Sequence, residues 1–230
     1  MYWLQSLTDQ VRIAPRFYYQ KSVSRQELLK QTINNKLSGR VMLNVGLCVV
    51  TWDVISIENN DAFILQSDGF ILMNVKFREV IFRPFRDEVL EGKIKEMDET
   101  GMLVSLEFFD EVFVSSEQMI EGCVFENGKW VWNYVDEDEG DGEVTKMPMN
   151  LEADVRVSVL GVKFYDKSIN EVNPENNEPS LVKKIKTENG ESAPGKIGGV
   201  NLSIKDRMKT SAFVVEASIK GEGFGLLSWW

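Results

Sequence analysis

Histidine is missing from all 230 residues of the chain. Its absence removes the commonest general base, every Ser-His or Cys-His nucleophile pair and most zinc chemistry. Cysteine is almost as scarce. Cys48 and Cys123 stand far apart, make no metal-ligand spacing, and read as reduced, buried small hydrophobes of an intracellular protein. No apolar run reaches the ~18 residues of a membrane span. The N-terminus carries Tyr2 and Trp3 but lacks the charged start, apolar middle and cleavage site of a secretory signal. There is no Gly-Lys-Ser/Thr phosphate loop either. What the chain has in excess is carboxylate.

The net charge of -10 is unevenly distributed. Residues 1–50 hold seven Lys/Arg against two Asp/Glu, whereas residues 86–143 hold four against eighteen. A nucleic acid is therefore not drawn to the second half by a general positive field, and any RNA contact there is local and weak. Residues 135–143 gather six Asp/Glu and two glycines without the spacing of an EF-hand loop, so they read as a solvated acidic loop and not a metal site. Neither a cofactor nor a metal is expected.

Val75, Phe77, Glu79 and Ile81 alternate with Lys76, Arg78 and Val80 as a half-buried strand does, and Pro84 then breaks the run. A fresh strand carries Leu90, Gly92 and Ile94 on one side and Glu91, Lys93 and Lys95 on the other. Upstream, Met1–Ile13 reads as an edge strand. A helix follows, capped by Ser24 with Glu27 three residues on, with Leu28, Leu29, Ile33 and Leu37 on one face and Gly39 past its end. Its basic flank of Arg25, Lys30 and Lys36 is either a solvated face or a docking surface. Downstream, Val155–Val159 and Phe213–Ile219 alternate as barrel strands, while patterning fails over 167–210, which reads as a largely disordered insertion. These elements predict an α+β chain: a small α/β domain over 1–82 and an S1/OB-type β-barrel over 83–230.

Three strings in this order, Asn44-Val45-Gly46-Leu47-Cys48, then Val75–Arg78 running into Phe82-Arg83-Pro84-Phe85, then Glu88–Leu90 with Gly92-Lys93-Ile94, resemble the S1-bearing stalk subunit of RNA polymerases. The ending Gly225-Leu226-Leu227-Ser228-Trp229-Trp230 is similar to the RNA polymerase III version. The resemblance implies a nuclear, non-catalytic subunit that pairs with a small helical, fourth-subunit-like stalk partner, joins the polymerase III core subunits, aids initiation and touches nascent RNA weakly. It places core docking on Asn44, Val45, Gly46, Leu47, Cys48, Ile64, Asp68 and Gly69, although Gln66-Ser67 stand where the family usually has Pro-Gly. Lys93, Lys95 and Phe113 become candidates for RNA contact, with Phe113 either stacking a base on an exposed strand face or lying in the core. Phe82, Pro84, Phe85, Trp229 and Trp230 are assigned to the domain junction and the partner. The rival readings are a free-standing S1 RNA-binding protein, which does not explain the Asn44 and Phe82 strings, and a metal-dependent phosphodiesterase using Asp110 and Glu111, which lacks a spaced acidic cluster.

Overall fold

The computed structural model describes residues 1–18, 24–57, 63–135, 144–165, 196–197 and 200–230. Its contacts divide into two units, Met1–Pro84 and Phe85–Trp230.

The first unit is an antiparallel sheet with a helix on one face. Strand β1 (Tyr2–Ile13) leads through the short α1 (Pro15–Tyr18) to α2 (Arg25–Leu37), followed by β2 (Val41–Met42), β3 (Gly46–Ile57), β4 (Phe63–Ile64) and β5 (Ile71–Phe82). The sheet order is β1-β5-β3-β2, with β4 pairing with the start of β5. Ser24 caps α2 by accepting the Glu27 N–H at 3.2 Å. Leu29 and Ile33 then bury against Val11, Ile13, Met73, Val75 and Phe77. The odd residues of β5 thus face the helix, and Tyr2, Leu4 and Ser6, in register with Phe82, Val80 and Arg78, share the opposite face. Three register shifts in β3, at Cys48/Val50, Thr51/Asp53 and Val54/Ser56, turn its later side chains out of simple alternation.

Gly46 fixes where β3 begins. Its φ is +146°, and a Cβ there would lie 2.5 Å from Ile81 Cγ2 and 2.7 Å from the Phe82 carbonyl oxygen, so the backbones meet only because no side chain intervenes.

The second unit is a closed barrel with additions. Its strands are β6 (Val89–Asp98), β7 (Gly101–Ser105), β8 (Val112–Ser115), β12 (Asp154–Phe164) and β15 (Phe213–Ser218). They close in the order β6-β7-β8-β15-β12-β6, antiparallel throughout except for the parallel β8–β15 pair. That is the five-stranded OB arrangement. Ile94, Met102, Val104, Val112, Val157 and Val215 are fully buried within this unit. Between β8 and β12 sits a separate three-stranded sheet of β9 (Cys123–Glu126), β10 (Lys129–Val135) and β11 (Val144–Pro148). The acidic stretch 136–143 lies outside the described residues.

Part of 167–210, read from the sequence as a largely disordered insertion, is ordered. The segment contains a two-stranded ribbon, β13 (Lys196–Ile197) with β14 (Val200–Asn201), and a helix, α3 (Ile204–Thr210). The helix signal was short but present: Ser203 caps it by accepting the Asp206 N–H at 3.2 Å, and Ile204 and Met208, four residues apart, are its buried residues. Residues 166–195 and 198–199 lie outside the described set. The last strand, β16 (Gly225–Leu226), adds to β12.

Candidate nucleic-acid interface

In an OB barrel, oligonucleotides bind across the second and third strands, between the turn joining strands one and two and the connection joining strands four and five. Here those strands are β7 and β8, the turn is Asp98–Gly101, and the connection contains α3. Leu103 and Phe113 stand opposite each other in register on the outer face. They do not face solvent. Ile204 and Met208 of α3 pack on them together with Val214, and Phe113 is only 7% exposed. Of the two readings of Phe113, an exposed stacking ring or a covered one, the covered one is observed, because the helix that escaped the sequence reading lies over it.

Energetic scale explains why the cover holds. Burying a large apolar side chain is worth about 1.5–3 kcal/mol, and five such residues are withdrawn from water in this cluster. A stacked base returns about 1–3 kcal/mol, so one or two bases do not outcompete the helix.

The two lysine candidates are not gathered at that face. Lys95 donates to Asp110 at 2.6 Å, and the same carboxylate accepts the Ser105 hydroxyl. Burial raises the Asp110 carboxyl, but these two hydrogen bonds outweigh it and hold the group below the usual range. Lys93 is exposed on a different part of the barrel, in an open cavity of about 320 Å³ whose walls also carry Glu91, Glu107 and Asp154. A phosphate entering there meets more carboxylate than ammonium. A second cavity of about 660 Å³, walled by Glu117, Glu121, Glu222, Lys220 and Trp230, has the same bias. Elsewhere in this unit Lys146, Arg156, Lys163, Arg207 and Lys209 each pair with a carboxylate. Asp110 and Glu111 belong to no group of three metal-binding side chains among the described residues.

The docking strings in the first unit fall at opposite ends of the sheet. Leu47 and Cys48 pair with Phe82 and Ile81, whereas Ile64 pairs with Ile71, at the other end of β5. Eleven strand steps separate them, roughly 35 Å at the usual rise. Within the first string, Asn44 is exposed and its carbonyl accepts from Arg83 at 2.6 Å. Val45 and Leu47 are half-buried. Gly46 and Cys48 are buried inside the sheet, so neither offers an exposed side chain there. Burial and then Glu79 push the Cys48 thiol up to about 11, leaving it protonated and unreactive at neutral pH. Ile64 is the opposite case, 62% exposed on the two-residue β4. Beside it Asp68 pairs with Arg12 and accepts the Phe70 N–H, and Gly69 closes the turn at φ +71°.

Among the junction and partner candidates, Phe82 and Pro84 are buried, with Phe82 against the Tyr2 ring at 5.8 Å, so neither presents a free side chain. Phe85 is exposed. Trp229 packs on Trp132 at 4.9 Å between ring centroids. Trp230 donates to the Phe224 carbonyl and remains 55% exposed. Gly225, at φ +100°, lets the tail fold onto its own barrel: a Cβ there would come 2.5 Å from the Trp229 ring.

Two features escaped the sequence reading. One is an apolar end on the outer sheet face, where Tyr2, Leu4 and Val50 are exposed in register with Phe82 and Val80. The alternation of β1 could have found it. The other is Glu79, which sits among Phe77 and Ile81 on the buried side of β5. It is 0% exposed, and among the described residues neither of its oxygens has a hydrogen-bond partner. Burial pushes its carboxyl up, and the Thr51 hydroxyl, opposite it in register but outside hydrogen-bond geometry, only partly opposes this.

Comparison with known proteins adds identity to this geometry. Residues 88–230 match the family model described as RNA polymerase III subunit Rpc25. Over its whole length the chain is 32% identical to the DNA-directed RNA polymerase III subunit RPC8 of Bos taurus, covering 98% of that protein. It is 29% identical to the Saccharomyces cerevisiae counterpart, with both chains covered in full. The RNA polymerase II subunit RPB7 of the same yeast matches 56% of the chain at 28% identity, over 72% of its own length.

Proposed function

Because the chain belongs to the RNA polymerase III subunit Rpc25 family, we propose that it works as the S1-bearing stalk subunit of that nuclear polymerase, paired with a small helical partner and aiding initiation of small-RNA transcription. It is an accessory subunit and not the catalytic one. The observation that carries the reading is the end-to-end match to polymerase III subunits across both units, including the first, which a free-standing S1 RNA-binding protein would not need.

Core docking in this reading is centred on the exposed Ile64 and its neighbour Phe63, with the turn through Asp68 and Gly69 holding them. The helical partner covers the apolar end at Tyr2, Leu4 and Val50 of the first unit. Contact with nascent RNA is weak and peripheral: Lys93 offers it only against the carboxylates of its own cavity, and Lys95 and Phe113 take no part. The free-standing RNA-binder reading is disfavoured by the paired cations and covered strand face of the barrel. Purification of the tagged chain from cells tests the proposal. Large polymerase III subunits co-purify if it holds, and recovery of the chain with RNA but without those subunits contradicts it.

A further inference from the structure

The covered face of the barrel is built for what covers it. α3 carries Lys205, Arg207 and Lys209 against the single Asp206. Its apolar pair, Ile204 and Met208, enters the patch formed by Leu103, Phe113 and Val214. The rim of that patch is acidic where the helix is basic. Asp98 Oδ2 accepts the Ile204 N–H at 2.6 Å, the Thr100 hydroxyl accepts the Lys205 N–H, and the Arg207 guanidinium pairs with Glu96. Glu96 is in register with Leu103, and Leu103 with Phe113, so the carboxylate stands in the row that a nucleic acid would have to cross. A phosphate chain laid there is repelled where a basic helix is held.

We propose that the β7–β8 face of this barrel is a binding site for a basic amphipathic helix, with apolar residues four apart and an arginine one position before the second. α3 is its occupant in cis, and the face accepts such a helix from a protein partner in trans, not RNA, once α3 is unseated. The tether makes α3 a competitor at high effective concentration, so the intact chain discriminates against weak trans ligands. Seven residues are too few to hold a helix alone in water, so α3 owes its form to this site and detaches when its anchors are weakened.

The test uses the full chain as wild type, Arg207→Glu, the charge-swapped Glu96→Lys/Arg207→Glu pair, and Ile204→Asp/Met208→Asp. Each is probed with a labelled peptide of residues 202–212 and with a short oligouridylate, while amide exchange follows residues 204–210. Arg207→Glu is expected to speed exchange in α3 and to bind the peptide at least about tenfold more tightly than wild type. The charge swap, which leaves net charge unchanged, returns both readings to wild type, and oligouridylate binding stays constant throughout. Ile204→Asp/Met208→Asp empties the face more fully; should it fail to fold, Arg207→Glu still decides. Tighter oligouridylate binding by the unseated chains, lost on adding Phe113→Ala, would overturn the proposal and make the face a gated RNA site. Peptide binding no tighter than wild type, whether or not exchange in α3 changes, would also overturn it. RNA bound equally by every form leaves the proposed peripheral RNA contact standing, and RNA bound by none removes that contact without touching the helix site.

Discussion

The two units answer the same problem, an apolar sheet face next to solvent, in opposite ways. In the first, α2 covers one face of the sheet and the other is left with Tyr2, Leu4 and Val50 exposed at one end. In the barrel, the outer patch at Leu103 and Phe113 is closed by α3. Charge follows the same division. The first unit carries ten Lys/Arg against seven Asp/Glu, and the second sixteen against twenty-nine, with many of its cations already committed to carboxylates. An open apolar end on a mildly basic unit is what assembly requires, and a closed face on an acidic unit is poorly suited to gripping nucleic acid. The difference teaches that an OB strand order alone does not confer an RNA site, since the face must also be free and its cations unspent.

The comparison can be broken from the first unit. Gly46→Val forces a side chain against Ile81 and the Phe82 carbonyl at a φ of +146°. About 3 kcal/mol or more of that unit's stability is expected to be lost, read as an early transition in thermal unfolding while the barrel transition stays in place. Breaking it from the other side, removal of Leu226–Trp230 strips buried Leu226 and the Trp132–Trp229 contact from the barrel. The expected cost is about 2–3 kcal/mol, confined to the barrel transition. If barrel stability is unchanged while binding of the helical partner is lost, the tryptophans serve the partner and not the fold.

Glu79 sharpens the comparison through pH. Its folded-state pKa lies above its ordinary value of 4.5, so the fold holds a proton that the unfolded chain releases. This contribution to first-unit stability is fully present below that ordinary value and is lost as pH rises through the raised one. Glu79→Gln should flatten the decline, and Glu79→Leu should stabilise the unit at neutral pH by about 1–2 kcal/mol, because a buried group without a partner disappears. A melting profile that falls equally in wild type and Glu79→Gln would place the titration elsewhere. The smallest effect on folding is expected from Ile64→Asp, within about 0.5 kcal/mol at so exposed a position. The same variant should nonetheless lose co-purification with polymerase.

Much of this architecture was readable from local chemistry. Strand alternation over Val75–Ile81, the Ser24–Glu27 cap and the Pro84 break each leave a direct trace, because one residue type at one spacing decides the outcome. α3 was lost because seven residues span barely two turns and sit in polar, Gly- and Pro-containing sequence, where a single i, i+4 pair is easily overlooked. The fate of Phe113 was unreadable for the same reason. Its strand leaves an exposed ring and a covered one equally open, and only the tertiary position of α3 decides between them. The docking strings, grouped by family resemblance, separate because β5 is twelve residues long and they pair with its two ends. Glu79 was visible on the apolar side of its strand, but a sequence does not reveal whether a hydrogen-bond donor waits there.

Amide hydrogen exchange of the chain alone and within assembled polymerase III tests the central contrast most directly. The account predicts that peptides covering Leu103–Val114 and Ile204–Thr210 are already protected in the free chain and change little on assembly, while those covering Tyr2–Leu4 and Phe63–Gly69 gain strong protection. Rapid exchange at Leu103–Val114 in the free chain, slowed only by assembly or RNA, together with no gain at Tyr2–Leu4 and Phe63–Gly69, would contradict it.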